Sequence, residues 1–149
     1  MSESTKRAIN DMNRGVIDTF RANRGVVGGH FQGKRVVLLH HTGRRSGDKY
    51  ITPLVSAADG DAFIVCGSAG GAPSDPLWVN NIEAGTGETT IEVAELTLRA
   101  RTAVIRESSP DWVRLYGIWS SYWPDAHEYE RNTSRKFPII HLEPIKPSP

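Results

Sequence analysis

The chain of 149 residues is long enough for one domain with its own core, and 38% hydrophobic against 23% charged residues is a globular composition. A formal net charge of +1 excludes a strongly cationic nucleic-acid-binding protein. The single cysteine, Cys66, excludes an internal disulfide and a cysteine-based zinc site, and the spacing of His, Asp and Glu indicates no other metal site.

The charges are unevenly distributed along the chain. Residues 1–50 carry ten Lys and Arg against four Asp and Glu, whereas the remainder is net acidic. A basic front part predicts an anionic partner: a phosphate, a polycarboxylate, a lipid surface or a nucleic acid, of which a nucleic acid is the one that we do not expect. No apolar run approaches a membrane span, and the first residues lack the apolar stretch of a secretory signal. A cytoplasmic location is therefore expected.

Residues 1–28 predict an amphipathic helix that ends near Arg24 and Gly25. Its apolar side chains recur every four residues, at Ala8, Met12, Val16 and Phe20. We expect this helix to pack on the domain. Peripheral contact with an anionic membrane is the less favoured alternative.

Short strands with turn signals between them follow the first helix. Three strands form a predicted antiparallel meander, a hairpin comes later, and one strand closes the chain, at residues 35–41, 50–57, 62–66, 89–93, 96–104 and 138–142. The dipeptides Asp75-Pro76 and Ser109-Pro110 each predict a helix start, with the acidic or hydroxyl residue as cap and proline as the first helical residue. Strands and helices do not alternate regularly, so the order predicts a mainly β (α+β) fold, a small antiparallel barrel with helices at its rim. The barrel domain is expected to cover residues 29–144, and residues 145–149 a flexible tail.

Two loops carry the chemistry expected of an anion site. The turn after the first strand holds Arg44, Arg45 and Ser46, with Lys49 close behind, and arginine suits bidentate recognition of phosphate or carboxylate. The loop of residues 67–74 is rich in glycine, which lets a ligand approach the backbone, and it leads into a predicted helix N-terminus. The alternatives are a solvated turn and a plain strand-to-helix connection.

An aromatic stripe lies near the end of the chain. Trp112, Tyr116, Trp119 and Trp123 fall on one face of a helix, with Tyr129 nearby. Such a stripe is typical of core packing, and the alternative is the wall of a pocket for a flat, apolar substrate.

The ordered motifs resemble the deazaflavin-dependent nitroreductase and quinone reductase family over roughly residues 30–144. These motifs are LLHHTGRRSG from Leu38, Pro53-Leu54, GSAGG from Gly67, PLWVN from Pro76 and TSRKFP from Thr133. The resemblance implies a split β-barrel of the FMN-binding type. It also implies coenzyme F420, a deazaflavin hydride carrier with a phosphate and an oligoglutamate tail.

The resemblance further implies roles for individual residues. The anionic tail would be held by Arg44, Arg45, Ser46 and Lys49. The deazaflavin would be lined by Ser68, Ala69, Gly70, Gly71, Pro76, Leu77, Trp78 and Asn81. The substrate would contact Trp119, Trp123 and Tyr129, with Ser68 and Tyr129 as candidate catalytic residues. The chain departs from the family at Ala126, where a central tyrosine would be expected, so the proton donor is left open.

The function expected from these observations is F420H2-dependent reduction of a flat, electron-poor substrate: a quinone, an enone or a nitroaromatic. The alternatives are an FMN-binding oxidoreductase of the same fold and a non-catalytic deazaflavin carrier. A monomer and a homodimer are both compatible with the sequence.

Overall fold

The computed structural model describes the backbone of residues 3–146 and the side chains of residues 10–146, so residues 147–149 of the predicted tail lie outside it. The described part contains four α-helices and seven strands. The helices are α1 (Glu3–Ala22), α2 (Leu77–Glu83), α3 (Trp112–Tyr122) and α4 (Ala126–Tyr129). The strands are β1 (Val36–Thr42), β2 (Lys49–Val55), β3 (Ala57–Asp59), β4 (Ala62–Cys66), β5 (Glu88–Val93), β6 (Leu96–Ile105) and β7 (Ile139–Pro144). None of the helices within residues 3–146 is both long and apolar enough to cross a membrane.

The seven strands form one antiparallel sheet in the order β2-β1-β5-β6-β7-β4-β3. The two outermost strands, β2 and β3, are consecutive in the chain and are separated only by the buried residue Ser56. A sheet whose two ends are one continuous stretch of chain must curl, so the sheet forms a split barrel. The predicted fold class is confirmed. The prediction of a single strand over residues 50–57 is wrong in one respect, because the chain bends at Ser56 and its two parts pair with different neighbours, β1 and β4.

Both faces of β1 are buried, and they are buried against different partners. Val37 and Leu39 point into the barrel, where they join a core cluster, while Val36 and Leu38 point outward and pack with Phe20 of α1. Because side chains alternate between the faces of a strand, the run VVLL supplies both contacts. The predicted packing of the first helix on the domain is thus observed at Phe20, which is 1% exposed. Its predicted contact with a membrane stays a prediction.

Two helix starts differ from the predicted ones. α2 begins at Leu77 with Pro76 in the cap position, and no side chain caps it. The carboxylate of Asp75, the predicted cap, instead forms ion pairs with Arg106 and Arg135. α3 begins at Trp112, and Ser109 forms part of the turn before it, with its hydroxyl accepting a hydrogen bond from the amide of Asp111.

Candidate functional site

The arginine-containing turn and the glycine-rich loop adjoin each other through α2. The loop leads directly into α2, and Asn81 on that helix accepts a hydrogen bond from the backbone amide of Arg44 with its Oδ1 atom, at 3.0 Å. The two segments that the sequence singled out therefore belong to one surface at an end of the barrel.

The turn between β1 and β2 is held together by its own backbone. The amide of Gly43 donates to the carbonyl of Asp48, the amide of Gly47 donates to the carbonyl of Gly43, and the amide of Asp48 donates to Ser46 Oγ. The side chains of Arg44 and Arg45 are exposed, and neither forms an ion pair with a carboxylate among the side chains of residues 10–146. Lys49 is also exposed, and its Nζ atom lies 3.0 Å from Thr42 Oγ1. The turn therefore presents cations that an anion can bind without displacing a protein carboxylate.

The glycine-rich loop is organised by a residue that lies far along the chain, Arg135. Its guanidinium donates hydrogen bonds to the carbonyl oxygens of Gly67, Ser68 and Ala72 at 2.9–3.0 Å, and it contacts Asp75 at 2.6 Å. This side chain is only 15% exposed. One planar guanidinium thus holds the loop at four places, three carbonyl oxygens and one carboxylate. Arginine can do this because its five N–H donors point in fixed directions, whereas lysine has a single ammonium group.

The same loop supports the segment that contains Tyr129. A Cβ atom built on Gly71 would lie 2.5 Å from the carbonyl oxygen of Tyr129, so only glycine allows the two backbones to approach so closely. The side chain of Tyr129 is half-buried, and its hydroxyl accepts a hydrogen bond from Trp123 Nε1 at 3.2 Å. The structure therefore brings Tyr129 beside the Ser68–Gly71 part of the loop.

The tryptophans expected at the site lie mainly in the core. Trp78 packs inside the barrel and is 7% exposed. Trp119 and Trp123 are 3% and 7% exposed and belong to a second core cluster that includes Phe137. Core packing accounts for these three rings, and their role in lining a ligand stays a prediction. By contrast, Leu77 is 73% exposed at the start of α2.

Two residues that the sequence analysis did not select support the site. The motif TSRKFP contained Arg135, but nothing in its local sequence indicated hydrogen bonds to residues 67–75. His41, near the end of β1, makes hydrogen bonds through both ring nitrogens to Thr52 and Asn81. Its position beside the arginine-containing turn was the one available signal.

Cys66 lies at the end of β4 and is 6% exposed. Burial raises the pKa of its thiol well above the usual value. The thiol is therefore held in its protonated, unreactive form.

Comparison with known proteins identifies the family. The model of the F420H(2)-dependent quinone reductase family matches residues 12–144. The chain belongs to this family. Its classification as an oxidoreductase and its use of coenzyme F420, both expected from the sequence, are confirmed by this membership.

One relative in this family is an F420H(2)-dependent quinone reductase of Mycobacterium tuberculosis (strain ATCC 25618 / H37Rv), which is 30% identical over 125 residues, covering 83% of each chain. Among solved structures, an F420-H2 dependent reductase is 23% identical with a TM-score of 0.64, over 72% of this chain and 93% of that one. An FAD-binding protein from Mesorhizobium loti is 10% identical with a TM-score of 0.52, over 78% of this chain and 83% of that one. At these identities the two structures support the split-barrel fold alone.

Proposed function

We propose that this protein uses F420H2 to reduce a quinone, and that enones and nitroaromatics are further electron-poor substrates of the same site. The observation that carries the proposal is the turn with its two exposed arginines, Arg44 and Arg45. The backbone amide of Arg44 is bonded to Asn81 on α2, the helix that follows the glycine-rich loop. This arrangement offers one end for an anionic tail and another for a flat ring.

The arginine-containing turn fits the tail of F420. A phosphate and an oligoglutamate chain need cations that are not already paired, and Arg44, Arg45 and Lys49 meet this need. The hydroxyl of Ser46 accepts a hydrogen bond from the amide of Asp48, so its own hydrogen remains available to a phosphate oxygen. Charge-assisted hydrogen bonds of this kind are stronger than neutral ones.

The glycine-rich loop fits the ring system. At Gly70 no atom beyond the two neighbouring residues of the chain lies within 4 Å of the position that a Cβ would take, so the backbone there is open to a flat group. Pro76 and Leu77 follow this loop in the chain, and the half-buried Pro76 and the exposed Leu77 supply apolar surface. When bound, the reduced deazaflavin supplies a hydride, and the protein has to orient the substrate and provide a proton.

Tyr129 is the proposed proton donor to the substrate. Trp123 Nε1 donates to the hydroxyl oxygen of Tyr129, so one lone pair is occupied and the hydroxyl hydrogen stays free to be donated. The same bond holds the phenol in place, and the backbone of Tyr129 lies against Gly71. Ser68, on the neighbouring loop, is the second candidate hydrogen-bond donor.

The test is an F420H2 oxidation assay with a naphthoquinone, a cyclic enone and a nitroaromatic compared side by side. We expect quinone reduction by the wild type. In Tyr129→Phe we expect turnover to slow by roughly two to four orders of magnitude, the effect of removing a proton donor, with little change in the KM for F420H2. Equal turnover in the two proteins would overturn the role of Tyr129.

A binding titration with oxidised F420 and with FMN tests the cofactor site separately. Arg44→Ala/Arg45→Ala should weaken F420 binding by about 10- to 100-fold, since two charge-assisted contacts are lost. The control variant, Arg14→Ala/Arg101→Ala, removes the same charge from exposed positions on α1 and β6 and should bind as the wild type does. Preference for FMN, or tight F420 binding without turnover of any substrate, would instead support the flavoprotein or the carrier alternative.

A further inference from the structure

His41 lies next to the arginine-containing turn and inside a continuous chain of hydrogen bonds. Its side chain is buried, with 8% exposure, near the end of β1. Its Nε2 atom lies 2.8 Å from Thr52 Oγ1 on β2, and its Nδ1 atom lies 3.0 Å from Asn81 Nδ2 on α2. The other end of the Asn81 amide, Oδ1, receives the backbone amide hydrogen of Arg44. These hydrogen bonds thus run without a break from Thr52 on β2 to Arg44 in the turn.

The donor and the acceptor of each of these hydrogen bonds follow from the chemistry of the groups. The backbone amide of Arg44 can only donate, so Asn81 must face it with its oxygen and must face His41 with its NH2 group. An amide NH2 group can only donate as well, so His41 Nδ1 is the acceptor. The imidazole is therefore neutral, with its hydrogen on Nε2 and directed at Thr52. Burial, which lowers the pKa of His41 to about 4, is consistent with this neutral form.

We propose that His41 is a positioning residue that fixes the arginine-containing turn, through Asn81, in the orientation that receives the anionic tail of F420. This inference rests on the proposed function and adds a role that acts at a distance from the ligand. The other hydrogen bonds of the turn close it upon itself, at Gly43, Gly47 and Asp48. The bond from Arg44 to Asn81 ties the turn to α2, and thereby to the glycine-rich loop that precedes α2.

The physical consequence is preorganisation of the protein site, which has to hold its ligand at two points. The ring end and the tail end of F420 are joined covalently, so the turn and the loop must keep a fixed separation and orientation to bind both at once. A turn that is free to move loses affinity for the tail while the loop still binds the ring. The ring stack of His41 on Tyr50, with centroids 5.5 Å apart, further restricts the imidazole.

The experiment compares two ligands on the same variants. The first ligand is complete F420, and the second is the deazaflavin without its phosphate and glutamate tail. In His41→Phe, which keeps a ring to stack on Tyr50 but removes the acceptor for Asn81, the Kd for complete F420 should rise about tenfold, as expected when a preorganised contact is lost. The Kd for the tail-less deazaflavin should not change. His41→Asn places an amide oxygen near the position of Nδ1 and should recover most of the affinity for F420.

Trp112→Phe is the control for stability. It removes one hydrogen bond, from Trp112 Nε1 to the carbonyl of Phe137, far along the chain from the turn. We expect it to lower stability without changing the Kd ratio of the two ligands. The proposal is overturned if His41→Phe weakens both ligands equally or neither, or if His41→Asn gives no recovery.

A measurement on the wild type covers the case in which His41→Phe does not fold. The amide hydrogen of Arg44 should exchange with solvent more slowly than that of Arg45, because Asn81 protects it; equal exchange would refute the proposal. If the wild type binds no F420, the proposed function and this inference both fail. If it binds F420 and the ratio of the two Kd values is unaffected by His41→Phe, the inference alone fails.

Discussion

Replacing Arg135 with alanine should loosen the glycine-rich loop and destabilise the whole domain. The guanidinium lies 2.6 Å from Asp75 and donates to three backbone carbonyls of the loop. Its removal leaves these carbonyls without their donor in a place where the arginine side chain was only 15% exposed. Asp75 keeps one partner, Arg106, at 3.0 Å.

The expected cost follows from these contacts. Each hydrogen bond from a charged donor contributes up to about 1.5–3 kcal/mol, and partial access of water favours a value near 1 kcal/mol for each carbonyl. The lost ion pair between Arg135 and Asp75 adds only about 1 kcal/mol, because Arg106 still compensates the charge of Asp75. The total is about 4 kcal/mol, a large fraction of the 5–15 kcal/mol typical of a domain. For a chain of this size the melting temperature should fall by about 10 °C.

Urea unfolding followed by tryptophan fluorescence measures this loss directly. Arg106→Ala is the matched variant, since it removes the other partner of Asp75 from a more exposed position, 41% for its side chain, and should cost only about 1 kcal/mol. Arg135→Lys keeps a charge near Asp75 but cannot reach three carbonyls, so it should fall between the two. Equal losses in Arg135→Ala and Arg106→Ala would show that the carbonyl contacts contribute nothing.

Three further predictions concern the packing and the titration of the domain. Gly71→Ala should lower the free energy of unfolding by about 2–4 kcal/mol, because a methyl group at this φ of +88° would meet the carbonyl of Tyr129. Gly47→Ala has a similar φ of +76° but lies in open space, so it should cost only about 1–2 kcal/mol, and urea titrations of both variants test the difference. The free energy of unfolding should fall by about 3 kcal/mol as the pH is lowered from 6.5 towards 4. Burial lowers the pKa of His41 to about 4, so the folded protein binds this proton at a lower pH than the unfolded chain does. An identical pH slope in His41→Asn would contradict this assignment. Phe20→Ala should cost about 3–5 kcal/mol, against less than about 0.5 kcal/mol for Met12→Ala at 63% exposure, and similar Tm values for the two would argue against the docking of α1.

Local patterns in the sequence predicted most of the strands and the candidate site. The polar and apolar alternation along the β5–β6 hairpin and the turn glycine Gly60 between β3 and β4 are local signals, and the structure has both elements. The exposed arginines of the turn after β1 were likewise recognisable, because tight turns expose their side chains. Family motifs then supplied the cofactor, which no local pattern could have identified.

Long-range contacts explain what the sequence analysis missed. Asp75 before Pro76 is the usual signature of a helix cap, but ion pairs with Arg106 and Arg135 compete for its carboxylate. The bend at Ser56 has no glycine or proline to mark it, and only the positions of β1 and β4 reveal that the strand changes partner there. These features depend on contacts with other parts of the fold, so periodicity and turn chemistry could not indicate them.

The order of the strands in the sheet also has a consequence for the order of folding. The hairpins β1–β2, β3–β4 and β5–β6 pair residues that are close in the chain, whereas β4 and β7 pair residues as distant as Val65 and Ile140. Closing such a long loop costs entropy before its contacts form, so the β4–β7 seam should join late. The conservative variant Ile140→Val should then mainly accelerate unfolding. The arginine-containing turn, inside the early β1–β2 hairpin, would be formed before the barrel closes and before Arg135 reaches its loop.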